Sequence, residues 1–112
     1  AAVKATISKL KKKGFRCTSR EAENVGYDLF AKHKKHGDLH VEVKGTAQAD
    51  ARFFMTANEY KYKQAPQWRL AMVTDALGDP KVKLMTLAKV EQKFDLEPMV
   101  WKASLKSASG AD

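Results

Sequence analysis

Residues 26–45 read "GYDLFAKHKKHGDLHVEVKG", and side chains alternate in character on both sides of a central polar run. A period of two is the mark of a β-strand, so two strands joined by a tight turn are expected here. Tyr27, Leu29 and Ala31 fall on one face of the first strand, with Asp28 and Phe30 on the other. Leu39, Val41 and Val43 line one face of the second strand, with His40, Glu42 and Lys44 opposite. The loop "KKHGD", residues 34–38, offers Gly37 for a positive φ. A turn centred near residue 35 or 36 brings Asp28 opposite or diagonal to Glu42 and Lys44, with Cβ atoms ~4.5–8 Å apart. Three ionisable groups therefore converge on one side of a hairpin, where a purely structural ribbon would bury apolar groups.

Outward from this hairpin, the other elements follow from their own patterns. Val3, Ile7 and Leu10 recur at helical spacing, Lys11–Lys13 favour the negative end of the helix dipole, and Gly14 suits the stop. "FRCTS" reads as a short strand and "REAEN" as a loop or an extra helical turn. After the loop "GTAQADAR" and an extended Phe53–Met55, "TANE" forms a capping box in which Thr56 caps a helix and Glu59 reaches back. That helix is expected to run to about Ala65, before Pro66. "WRLAMVT" is apolar on both faces, as in a central buried strand, and "KVKLMTL" follows the "GDP" turn as another. "AKVEQKF" predicts a short helix and "PMVWKA" an edge strand. The order α-β-β-β-α-β-β-α-β defines an α/β (α+β) domain, a mixed sheet flanked by helices.

With 112 residues the chain has material for one core, expected over residues 1–104, with a flexible tail over 105–112. It opens on Ala1, which fits either a piece of a longer protein or a trimmed initiator methionine. No apolar run reaches the ~20 residues of a membrane helix, and no signal-peptide pattern is present. One cysteine, Cys17, excludes an internal disulfide, and a cytoplasmic location is expected. Lys and Arg outnumber Asp and Glu by 21 to 13, a formal charge of +8 that draws the domain to polyanions. Neither a phosphate-binding G-x-x-x-x-G-K-[ST] loop nor a G-x-S-x-G serine occurs, so those two chemistries are set aside.

Paired carboxylates beside a lysine suit metal-assisted hydrolysis. Two acids hold Mg²⁺ or Mn²⁺, and the cation acidifies a bound water and neutralises charge on phosphoryl oxygens. Asp28 and Glu42 are the candidate ligands, with the Val43 carbonyl as a third, and Lys44 lies on the same face to assist the water. Without a cation the two acids repel, and at least one pKa is expected to rise. With Asp28 followed after thirteen residues by "EVK", the sequence resembles the PD-(D/E)XK nuclease superfamily, whose signature is an acid ending one strand and E-x-K on the next. The string "NVGYDL … HVEVKGT … FFMTANEY … WRLAMVTDA" more narrowly resembles the NO VEIN C-terminal domain family, over residues ~3–102. The resemblance implies a restriction-endonuclease-like fold and an endonuclease domain acting on nucleic acid, with DNA as the expected partner, in restriction, phage defence or repair. It implies too a homodimer or a place in a larger multidomain protein. The alternative is a catalytically inactive nucleic-acid-binding or protein-interaction module of an ATPase- or helicase-type protein.

Other residues carry competing readings. Gln48, four residues past Lys44, reaches a scissile phosphate or serves as a loop hydrogen-bonder. The superfamily often carries a further glutamate on the first helix; residues 1–14 have no acid, and Glu21 or Glu23 stands as the substitute. Glu59 is explained by capping. Lys34 and Lys35 at the hairpin tip, and Asn58, Lys61 and Lys63 on the capped helix, are the expected nucleic-acid contacts. Tyr60, Tyr62 and Trp68 interleave with cations as base-stacking residues do, though core packing explains Trp68 and one tyrosine more simply. His33, His36 and His40 lack a fourth partner for zinc. Asp28, Glu42 and Lys44 also admit a half-buried ion network, which buried pairs seldom favour over apolar replacements.

Overall fold

The computed structural model describes residues 1–23, 25–47, 53–97 and 103–106. Helix α1 (Ala2–Lys12) precedes strand β1 (Arg16–Ser19), a single 3₁₀ turn (Glu21–Glu23), β2 (Leu29–Lys32) and β3 (Leu39–Gly45). Helix α2 (Ala57–Tyr62), β4 (Trp68–Thr74), β5 (Lys81–Met85) and α3 (Leu87–Lys93) complete the order. The expected succession of helices and strands is present as far as α3; the strand expected at "PMVWKA" lies outside the described residues apart from Ala103.

Strands follow chain order across the sheet, β1-β2-β3-β4-β5. Neighbours are antiparallel except β3 and β4, which run parallel because α2 lies in the crossover between them. Period-two alternation then decides which residues face which layer. Leu29, Ala31, Val41, Val43, Ala71 and Val73 are buried with Leu10, and Val3 and Ile7 of α1 pack against them. On the other face Trp68, Leu70, Met72 and Met85 are buried with Val90 of α3, and Phe53, Met55 and Tyr62 pack beside them. Strand β4, buried on both faces, is the central strand its composition predicts.

The ends of elements have local causes. Gly14, at φ +93°, lets the chain turn out of α1, with Gly14 N–H donating to Lys11 O and Phe15 N–H to Leu10 O, both at 3.0 Å. Gly45 is needed for a different reason: a Cβ there would stand 2.6 Å from Ala2 Cβ, so the start of α1 rests directly on the end of β3. Helix α2 stops at Tyr62, short of Ala65, because Pro66 disfavours helical geometry in the residue before it. Ala65 N–H instead bonds Tyr62 O in a tighter turn. At the outer strand, Lys9 Nζ donates to Val82 O at 2.8 Å, so a cation from α1 occupies part of the β5 edge.

Candidate metal centre

The register of the hairpin settles the position of Asp28. Leu29 pairs with Val41 and Phe30 with His40, which sets Asp28 across from Glu42. Its backbone is held on both sides: Asp28 N–H donates to Val41 O at 2.9 Å, and Asp28 O accepts from Arg20 N–H at 2.7 Å. The side chain is fixed too, because Oδ2 accepts from Val43 N–H at 2.8 Å.

Glu42 lies beside Leu70 of β4 and is 1% exposed. Among the described residues no donor reaches either carboxyl oxygen, although both are buried. Lys44 Nζ stands 3.6 Å from Oε1, too far for a hydrogen bond, and donates to Glu59 Oε1 at 3.0 Å. Glu59 arrives from α2. The capping box forms as expected, with Thr56 Oγ1 accepting from Glu59 N–H and Glu59 Oε1 from Thr56 N–H. The same oxygen takes Lys44, so the cap residue is also part of the site.

Burial pushes the Glu42 carboxyl up to about 9. The neighbouring carboxyls of Glu59 and Asp28 add to that rise. Repulsion between the acids therefore contributes as expected, but loss of water is the larger cause. Burial also pushes Glu59 up, yet the Thr56 N–H, the Lys44 ammonium and the neighbouring Glu42 carboxyl together hold it below the usual carboxylate range.

One ligand oxygen each from Asp28, Glu42 and Glu59 can be chosen within 4.8 Å of one another. Ligands on opposite sides of Mg²⁺ lie ~4.2 Å apart, so at most a small side-chain adjustment closes the set on one ion. The donors are all oxygen, which suits a hard cation, and the donor-free oxygens of Glu42 are what such an ion satisfies. The residues fit a divalent cation.

The third acid of the cluster is Glu59, not Glu21 or Glu23. Glu21 and Glu23 engage elsewhere, Glu23 with Arg20 at 3.0 Å and Glu21 with the Ser19 hydroxyl at 3.5 Å. The histidines separate. His33 and His36 pack with ring centroids 4.4 Å apart, and His33 Nδ1 accepts from the Lys35 and His36 amides. His40 stacks on Tyr27 at 4.4 Å and contacts the Tyr62 hydroxyl through Nδ1 at 3.0 Å; burial lowers its pKa. Among the described residues no three-histidine group forms.

Lys34 and Lys35 are exposed at the hairpin tip, six or seven residues along the strand from Asp28 and so ~20 Å from the acids. Lys61 is exposed on α2, but Lys63 is 4% exposed with Nζ 4.3 Å from the centre of the Tyr60 ring. Trp68 is core, Tyr62 is half-buried, and Tyr60 is 50% exposed. Asn58 occupies the first turn of α2, though its side chain is not among the described groups; Gln48 lies outside the described residues.

A five-stranded α+β domain with three carboxylates and a lysine gathered between a hairpin and a crossover helix defines the class. The chain belongs to the NO VEIN C-terminal family: the model described as "Protein NO VEIN, C-terminal" matches residues 1–85. The match is shorter than the sequence resemblance, ending at the last residue of β5. No curated protein and no solved structure gave a significant match. Among the described residues, no helix is long and apolar enough to cross a membrane.

Proposed function

We propose that this domain is a metal-dependent endonuclease that hydrolyses phosphodiester bonds of nucleic acid, with DNA as its substrate. The observation that carries the reading is Glu42: a carboxyl 1% exposed, grouped with two further acids, whose oxygens have no donor among the described residues. A carboxyl without a donor is costly to bury, and three acids together are costlier, unless the group has a cation to bind.

Asp28, Glu42 and Glu59 are the side chains that hold Mg²⁺ or Mn²⁺, with the Val43 carbonyl as a further ligand. The ion supplies Lewis-acid stabilisation of phosphoryl charge and a more acidic water. The Lys44 ammonium, beside Glu42 and Glu59, orients the attacking water and offsets negative charge at the phosphoryl oxygens. Gln48, four residues past Lys44, is the second candidate group for the scissile phosphate or that water. Lys34, Lys35 and Lys61 contact the nucleic-acid backbone away from the acids.

The test uses plasmid, linear and single-stranded DNA with Mg²⁺ or Mn²⁺. Cleavage is expected from the native chain and is expected to vanish in Asp28→Asn, Glu42→Gln and Lys44→Met while folding persists. Native-level cutting by any of these folded variants refutes the assignment.

The Lys44–Glu59 ion pair favours a second reading, a closed structural network inside a binding module that does not cut. It predicts salt-sensitive DNA binding, no turnover with any metal and no rise in melting temperature on adding Mg²⁺ or Mn²⁺. A metal-induced rise that disappears in Glu42→Ala supports the first reading.

A further inference from the structure

At the far end of α2 from Thr56, a cleft of about 320 Å³ is lined by Lys63, Gln64, Trp68, Arg69 and Thr86, among others, with no acidic residue in its lining. Two of its groups lack partners of the kind their burial calls for. Trp68 is 1% exposed, and its indole Nε1–H has no acceptor among the described residues. Lys63 is 4% exposed, and its ammonium rests against the Tyr60 ring with no carboxylate among the described residues within ion-pair distance. Arg69 adds positive charge at the rim, its guanidinium held by Pro66 O and Trp68 O at 3.1 and 2.7 Å. Two residues in the wall of the cleft therefore carry a buried neutral donor and a shielded cation, and among the described residues nothing of opposite sign satisfies either.

We propose that this cleft receives a phosphate of the nucleic-acid backbone, one oxygen accepting from Trp68 Nε1–H and the charge facing Lys63. The proposal deepens the reading above by adding a second anchoring point for the same polyanion, and it requires nucleic-acid binding but not hydrolysis. Its placement fits. Trp68 pairs with His40, two residues before Glu42 on the same face of the sheet. Helix α2 bridges the two places: Glu59 stands at the acids and Lys63 four residues on, a rise of ~6 Å. A chain carrying a phosphate at every nucleotide can engage both at once, whereas a lone carboxylate can engage only one. Ammonium and N–H donors to phosphate are the charge-assisted contacts that desolvation strengthens.

The indole proton gives a direct readout. The ¹⁵N-labelled chain has two tryptophans, so Trp68→Phe assigns the Trp68 indole signal by its loss. Titrating a short oligodeoxynucleotide in EDTA is expected to move that signal downfield to saturation, and inorganic phosphate to do so at higher concentration. Lys63→Met is expected to weaken the oligonucleotide response roughly tenfold, and Lys63→Arg to restore it. Amide spectra of both variants verify the fold. An indole signal unmoved by oligonucleotide, a Lys63→Met response equal to native, or a shift produced by polyglutamate and not by oligonucleotide each overturns the proposal. Because no metal is present, loss of the hydrolytic reading leaves this outcome intact, and a cutting enzyme with a silent indole leaves only this inference refuted.

Discussion

At the scale of single residues, Glu42 sets the electrostatics of the molecule. Its carboxyl titrates near 9 in the folded, metal-free domain against an ordinary value of 4.5, so folding retains a proton that the unfolded chain releases. The unfolded state therefore binds fewer protons between those values, and stability falls as pH rises from about 4.5 to about 9. Glu42→Gln, which cannot ionise, is expected to flatten that decline and to stabilise the metal-free domain at pH 8 by an amount on the order of several kcal/mol. Denaturant melts at pH 5 and pH 8 in EDTA measure it, and parallel slopes for native and variant would sink the claim. Asp28, Glu42 and Lys44 were legible in the sequence because strand alternation is a local rule, and the hairpin that aligns them closes over few residues. Glu59 was legible only as a cap. Its second contact, to Lys44, depends on how the crossover packs α2 against β3, which spacing does not report. The burial of Lys63 was not legible for a similar reason: its place at a helix end says nothing of exposure, and only packing around Trp68 and Tyr60 shows it nearly buried.

Among the elements, α2 is the one whose local stability and site geometry are the same problem. Six residues form a helix too short to persist alone, so its start depends on the reciprocal bonds between Thr56 and Glu59. Thr56→Ala removes one of them and is expected to cost roughly 1 kcal/mol. It also frees Glu59 to leave Lys44, so any rise in melting temperature that Mn²⁺ produces through the proposed site should shrink in the variant. A full metal response alongside the lost stability would show that cap and acids act independently. The strands among the described residues were legible because most carry their own period: two in β2, β3 and β5, and continuous apolarity in β4. Element ends were read less well. The helix before Pro66 ended three residues early, since that restriction acts on the residue before the proline and propagates back through the turn.

For the molecule as a whole, two apolar layers lie on opposite faces of one sheet, and the acids sit on the α2 and α3 side. The family match stops at Met85, yet Val90 of α3 is fully buried against the layer containing Trp68, Leu70 and Met85. Val90→Ala is therefore expected to lose roughly 2 kcal/mol, as buried methyl deletions do, and to lower the melting temperature by several degrees. An unchanged melting temperature would mean that α3 is not part of the cooperative unit. The oxygen atoms left over at the acids also bear on which ion the proposed enzyme selects. One oxygen of Asp28 is engaged by Val43 N–H, and one of Glu59 by Lys44 and Thr56 N–H. Among the described residues only Glu42 keeps both oxygens without a donor, so the three acids offer few simultaneous contacts to an ion. If the proposed site binds a cation, such a pocket is expected to favour small, tightly hydrated magnesium over calcium, whose larger sphere calls for six to eight oxygens.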